Sequence, residues 1–149
     1  MPWITAGQAA KFGADQEMFT AITNAAFAPE SEVYLPLELS SEFPVPKPTR
    51  ATVRDVKWTP HEITAVVEAA EPSMVVLSQS FYHAWKAELD GQPVELWRAN
   101  YAFTALKTSA GKHQLRLYYR DDVFRVGLVT ALVCLALLAA IGWRYSKRP

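Results

Sequence analysis

Phe81, Tyr82, His83 and Trp85 crowd into one short stretch of the chain. Rings so concentrated can form a shelf for the apolar face of a sugar or for a partner's side chain. Arg98 and Asn100 lie a short way downstream and would add donors and an acceptor. Tyr82, His83, Trp85, Arg98 and Asn100 are therefore the candidate glycan or partner contacts. Each also has an ordinary structural duty: Phe81 and Trp85 as core, Asn100 and the Asp90-Gly91 pair as turn formers, Lys86 and Arg98 as solvated strand residues. The adjacent carboxylates Asp121 and Asp122 could serve proton transfer or bind a cation. On an extended chain, however, neighbours point to opposite sides, so the pair reads as a solvated cluster beside Arg120 and Arg125. His61, His83 and His113 are dispersed, Cys134 is the sole cysteine, and no zinc-protease, paired-cysteine, dinucleotide or phosphate-loop pattern occurs. No catalytic residue, metal ligand or cofactor is assigned, and the chain is not expected to be an enzyme.

The elements that must position these residues read as mainly β. After a short extended start at Trp3 and Ile4, Gly13-Ala14-Asp15 reads as a turn and helix start, with Glu17 suited to the first turn. Met18, Phe19 and Ile22 then repeat at helical spacing, which predicts a short helix over residues 16–25. A brief strand follows from Val33 to Leu39. Prolines 44, 46 and 48 make residues 40–50 a stiff linker. Beyond it, short alternating strands recur with turn signals between them. Ile63, Ala65 and Val67 alternate with polar neighbours, and Met74 to Leu77 form a wholly apolar, central strand. Trp85, Ala87 and Leu89 lead into Asp90-Gly91, a strong hairpin signal, and Val94, Leu96 and Arg98 run back as one strand. The pattern predicts an antiparallel β-sandwich, jelly-roll-like, with one short N-terminal helix. The expected division is a strand-helix-strand portion at 1–39, the linker at 40–50, the sandwich core at 51–122, a transmembrane helix at 123–145 and a basic tail at 146–149.

From Val126 to Trp143 the chain runs eighteen residues without a charge; at about 1.5 Å per residue this is roughly 27 Å of helix, close to the apolar thickness of a bilayer. Trp143 and Tyr145, with Arg144, Lys147 and Arg148, resemble an interfacial belt followed by a positive-inside anchor. The lipid bilayer is thus the first expected partner. The 149 residues carry fifteen basic and fifteen acidic groups. Setting aside Arg144, Lys147 and Arg148 leaves a slightly acidic body, which argues against nucleic acid as a partner.

A resemblance runs from Leu77 to Gly127. It is carried by Val75-Val76-Leu77-Ser78, Phe81-Tyr82-His83-Ala84-Trp85-Lys86-Ala87, Leu89-Asp90-Gly91, Arg98-Ala99-Asn100-Tyr101-Ala102-Phe103, Ala110-Gly111-Lys112-His113 and Leu115-Arg116-Leu117-Tyr118-Tyr119, with Phe124 and Gly127 entering the helix. In these residues the chain resembles the C-terminal region of the YfhO-like family of bacterial polytopic membrane proteins. Two departures are His83-Ala84 in place of a usual Pro-Gly, and Arg120-Asp121-Asp122 where a proline turn is common. The resemblance implies a glycosyltransferase-like protein of the bacterial inner membrane that uses lipid-linked sugar donors. The catalytic carboxylates of that class lie in a region this chain does not contain. What remains is a non-catalytic extracytoplasmic β domain and a final transmembrane helix. Its expected roles are to assist glycan or lipid-linked sugar handling or to brace a helix bundle. The basic tail places the β domain outside, yet residues 1–20 hold no export signal. That conflict predicts a fragment of a larger or adjacent polytopic protein. The competing expectation is a stand-alone, tail-anchored β-sandwich module that binds a protein partner.

Overall fold

A computed structural model describes residues 3–41 and 47–146. The chain divides into two units, residues 1–119 and 120–149. The first unit is built on the period-two alternation seen in the sequence. In β5 (Glu62–Ala69) every second residue is buried, and β7 (Trp85–Leu89) buries Trp85, Ala87 and Leu89. These strands belong to a five-stranded sheet that also holds β4 (Ala51–Thr59), β8 (Gln92–Val94) and β11 (Gly111–Tyr119), in the order β4-β5-β11-β7-β8. A four-stranded sheet, β1-β6-β10-β9, faces it, formed by β1 (Ile4–Ala6), β6 (Ser73–Ser80), β9 (Trp97–Ala99) and β10 (Phe103–Thr108). All pairings in both sheets are antiparallel. The main core lies between them, with Ile4, Val75, Leu77 and Leu106 from one sheet against Ile63, Val67, Leu115 and Leu117 from the other. The architecture is the antiparallel sandwich expected from the alternation.

The central strand β6 departs from alternation for a physical reason. Its outward residues Met74 and Val76 do not meet water: they pack with Ala10, Val33, Leu35, Ala99 and Ala105 in a second core. That layer comes from a parallel ribbon, β2 (Ala9–Gly13) and β3 (Glu32–Pro36), which the sequence does not announce. Parallel strands need a crossover, and helix α1 (Asp15–Ile22) supplies it, burying Met18 completely. A strand covered on both faces reads as a continuous apolar run.

Several boundaries differ from expectation. The helix starts at Asp15, where the Glu17 carboxylate accepts the Ala14 N–H at 3.0 Å. It stops at Ile22 rather than residue 25: the Thr23 hydroxyl donates to the Thr20 carbonyl at 3.2 Å, and Asn24 N–H turns to Ala21 O at 3.2 Å instead of continuing the helix. The strand at Val33 ends at Pro36 and gives way to a 3-10 turn over Leu37–Ser41; proline has no N–H to extend the pairing. Val94, Leu96 and Arg98 do not form one strand. β8 pairs with β7, the chain breaks at Glu95-Leu96, and β9 joins the other sheet beside β10. Residues 42–46 of the proline-rich stretch lie outside the described residues. Its last part is docked rather than free, since Thr49 N–H donates to Gly7 O at 2.8 Å and Ala70 N–H to Arg50 O at 2.9 Å. Gly7 takes φ +87°, and a Cβ there would stand 2.4 Å from the Thr49 carbonyl oxygen, so only glycine fits.

The second unit is a single helix, α2 (Asp122–Ser146). Its residues Asp122–Arg144 have a mean hydropathy of 2.4 over the most apolar window, enough in length and composition to cross a membrane.

Candidate functional site

The two ends of the sandwich are chemically unlike, and the connections between strands show which residues each end collects. β6 finishes at Ser80 and hands over through residues 81–84 to β7, while Phe103 pairs with Ser80 and Tyr119 pairs with Trp85. The loop is fixed at both sides: Phe81 N–H donates to Ala102 O at 2.7 Å and Trp85 N–H to Tyr82 O at 3.0 Å. Trp85 is 8% exposed and lies edge-on to the Tyr119 ring at 5.6 Å. Tyr82, by contrast, is 46% exposed, stands nearly parallel to Tyr119 at 6.4 Å and touches the His83 ring at 4.1 Å. His61 completes the group 6.5 Å from Tyr119.

Three of the five candidate contacts therefore meet, joined by Tyr119 and His61, which composition alone does not single out. They are far from the loop in sequence and arrive by register: Tyr118 lies opposite Glu62 across β11 and β5, so His61 falls next to Tyr119. The pairings that bring them in, β5 with β11 and β7 with β11, join strands distant in the chain, so no local turn signal announces them.

Arg98 and Asn100 are engaged elsewhere. Arg98 grips Asp15 with both guanidinium nitrogens, at 2.5 and 3.1 Å, fastening β9 to the start of α1. Asn100 is 4% exposed. Its backbone N–H donates to Tyr34 O and its side-chain oxygen accepts the Tyr34 N–H, both at 2.8 Å, so one residue imitates a strand and holds β3. Asn100 and Tyr101 both adopt positive φ, 45° and 69°, in the tight turn to β10. Asparagine tolerates that conformation better than most residues.

The opposite end gathers residues that the sequence left scattered. The Ser109 hydroxyl and His113 Nε2 are 3.0 Å apart, and His113 Nδ1 is 2.7 Å from Asp90 Oδ2. The order serine–histidine–aspartate is that of a nucleophile, base and orienting acid. Asp90, however, also accepts the Gln114 N–H at 2.7 Å through Oδ1, while its own N–H donates to Gln114 O. The bond from Gln114, and after it the one from His113, holds the Asp90 carboxyl below the usual aspartate range. Asp90 and Gly91 take φ of 53° and 76°, the two-residue turn expected of an Asp-Gly hairpin. The carboxylate thus clamps the β7–β8 hairpin onto β11. An open depression of about 540 Å³ adjoins it, lined among others by Trp97, Lys107 and His113.

In the second unit the two adjacent carboxylates have separate duties. Asp121 Oδ1 accepts the Phe124 N–H at 2.9 Å and caps α2, and Asp122 pairs with Arg120 at 2.7 Å. Val126, Trp143 and Arg144 lie within α2, whereas Lys147 and Arg148 lie outside the described residues. Among the described residues no group of three or more His, Cys, Asp or Glu could hold a metal ion.

A family model described as bacterial membrane protein YfhO matches residues 47–131, more than half of the chain. The chain belongs to this family. The YfhO match takes in β4 through β11, both ends of the sandwich and the first turns of α2. It contains the whole stretch from Leu77 to Gly127 on which the resemblance rests. No curated protein and no solved structure matches the chain. Membership in a membrane-protein family and the single apolar helix agree on where the chain resides.

Proposed function

We propose that the chain provides a YfhO-family protein with an extracytoplasmic β domain and a transmembrane helix, and that the domain handles sugar without making or breaking bonds. The observation that carries this reading is the ring shelf of Tyr82, His83, Trp85 and Tyr119. Buried Trp85 braces Tyr119, which in turn supports the exposed ring of Tyr82. A tyrosine ring offers an apolar face and a polar tip together, a combination suited to the C–H face and hydroxyls of a pyranose. Tyr119 is also the last residue before the segment that runs into α2. The saccharide of a lipid-linked sugar, held near the bilayer by its own lipid, would be met at that end. No reaction is assigned to Ser109, His113 and Asp90, because the bonds of Asp90 are explained by the hairpin it closes.

Arg144, Lys147 and Arg148 support a cytoplasmic C-terminus and hence an extracytoplasmic domain in the bacterial inner membrane. Gly127, Ala131, Ala139, Ala140 and Gly142 would let neighbouring helices of a larger or adjacent polytopic protein approach α2 closely. The deciding experiment applies the detergent-solubilised full chain to a glycan array. Binding is expected, and Tyr82→Ala should abolish it while leaving circular dichroism and thermal unfolding unchanged. Glycan binding that survives both Tyr82→Ala and Tyr119→Ala overturns the shelf. Absence of any glycan binding, with co-purification of a multi-span protein, would leave bracing of the helix bundle as the role.

A further inference from the structure

Trp3 and Trp58 are the most conspicuous residues that the sugar shelf does not use. Trp3 precedes β1 and Trp58 lies near the end of β4, yet their rings meet at 5.0 Å and are 64% and 41% exposed. An indole is costly to leave in water, since it carries one of the largest apolar surfaces of any side chain. The pair is not isolated. Trp3, Trp58, Phe81, Tyr82, Tyr101 and Tyr119 are all exposed, and strand register places them at the same end of the sandwich. The turns at the other end, built on Glu71, Asp90-Gly91 and Ser109-Ala110, contain no aromatic residue.

The covalent chain says what faces the aromatic end. β11 leaves it at Tyr119, and only Arg120 and Asp121 intervene before α2 begins at Asp122. At about 3.6 Å per residue, Tyr119 can be no more than roughly 11 Å from the first residue of that helix. Once α2 crosses a bilayer, so short a connection leaves this end within reach of the lipid headgroups. Trp and Tyr are the residues that favour that layer, with the ring among the glycerol and upper acyl groups and the polar atom in water.

We propose that the aromatic end of the sandwich rests in the headgroup layer of the bilayer, with Trp3 and Trp58 inserted as interfacial anchors. The proposal shares with the proposed function only the assumption that α2 spans the membrane, and it does not depend on sugar binding.

The test uses the full chain reconstituted at low protein-to-lipid ratio in phosphatidylcholine–phosphatidylglycerol vesicles. Tryptophan fluorescence is read with lipids brominated near the glycerol end of the acyl chain. Trp143→Phe first removes the tryptophan of the span. In that protein strong quenching is expected, and adding Trp3→Phe and Trp58→Phe should reduce it by about two-fold or more, since Trp85 is enclosed in the core and Trp97 lines the depression beside Asp90 and His113 at the other end. Phenylalanine keeps a ring at both exposed positions, so an unchanged thermal transition certifies the fold. An unquenched Trp143→Phe protein would overturn the proposal, as expected if a second copy or water covers the rings. Quenching that is indifferent to loss of Trp3 and Trp58 would overturn it equally. Loss of glycan binding by Tyr82→Ala reports on the other reading and leaves this one intact.

Discussion

The two ends of the sandwich treat their side chains in opposite ways. At the end carrying Asp90, His113 and Ser109, polar groups are spent on one another and on backbone, and the chain is closed by hydrogen bonds. At the end carrying Tyr82, Trp3 and Trp58, rings are left bare. One end is closed by its own hydrogen bonds; the other leaves rings facing outward. The difference teaches that exposure, more than residue type, separates surface rings from structural ones. Trp85 and Tyr82 lie three positions apart on the same loop and strand, yet one is core and the other surface.

That contrast is open to direct attack. The largest effect should come from Trp85→Ala, which removes a large ring from the main core and should cost about 3–5 kcal/mol in denaturant unfolding. Tyr82→Ala should stay within about 0.5 kcal/mol. Equal losses would erase the distinction between the two rings. Next comes Asn100→Ala, which strands the buried N–H of Tyr34 and should cost about 1–3 kcal/mol. It should also raise hydrogen exchange at Tyr34 more than at β5, because β3 loses its hold on β9.

The smallest effect belongs to the closed end. The Asp90 carboxyl titrates lower in the folded protein than in the unfolded chain, so the native state binds fewer protons in acid. Its stabilisation is present in full above the unfolded aspartate value of about 3.9 and disappears as pH falls through the lower native value. Asp90→Asn should therefore flatten the acid limb of a stability–pH curve and leave the curve's shape above pH 5 unchanged. Labelling of Ser109 by a fluorophosphonate, abolished by His113→Ala, would show instead that this end is a reaction centre.

The sandwich was legible because its strands carry local signals. Alternation in β5 and β7 and the Asp-Gly turn need no knowledge of distant residues. What was not legible depends on pairing across the chain. The β2–β3 ribbon is invisible because its burial is shared with β6 and becomes apolar only through that packing. The break between β8 and β9 hides in a run that alternates well enough for one strand, since Leu96 still packs on the core while the chain changes sheets. Of the site, the local cluster at Tyr82, His83 and Trp85 could be read directly, whereas Tyr119 and His61 required register. Arg98 and Asn100 misled for a related reason. Polar residues near an aromatic group invite a binding reading, but their partners, Asp15 and Tyr34, are more than sixty positions away.

The five-stranded sheet ends on β4, whose register slips between Arg54 and Lys57, with Asp55 at φ 53°. Proteins confined to a membrane plane collide at a high effective concentration, and a flat, regular sheet margin would invite strand-to-strand addition between neighbours. The bulge breaks the row of free backbone groups, and Arg54 and Lys57 place charge on either side of it. The irregularity in β4 gives this margin a shape that a flat neighbouring strand would not match, which matters most where copies share one membrane plane.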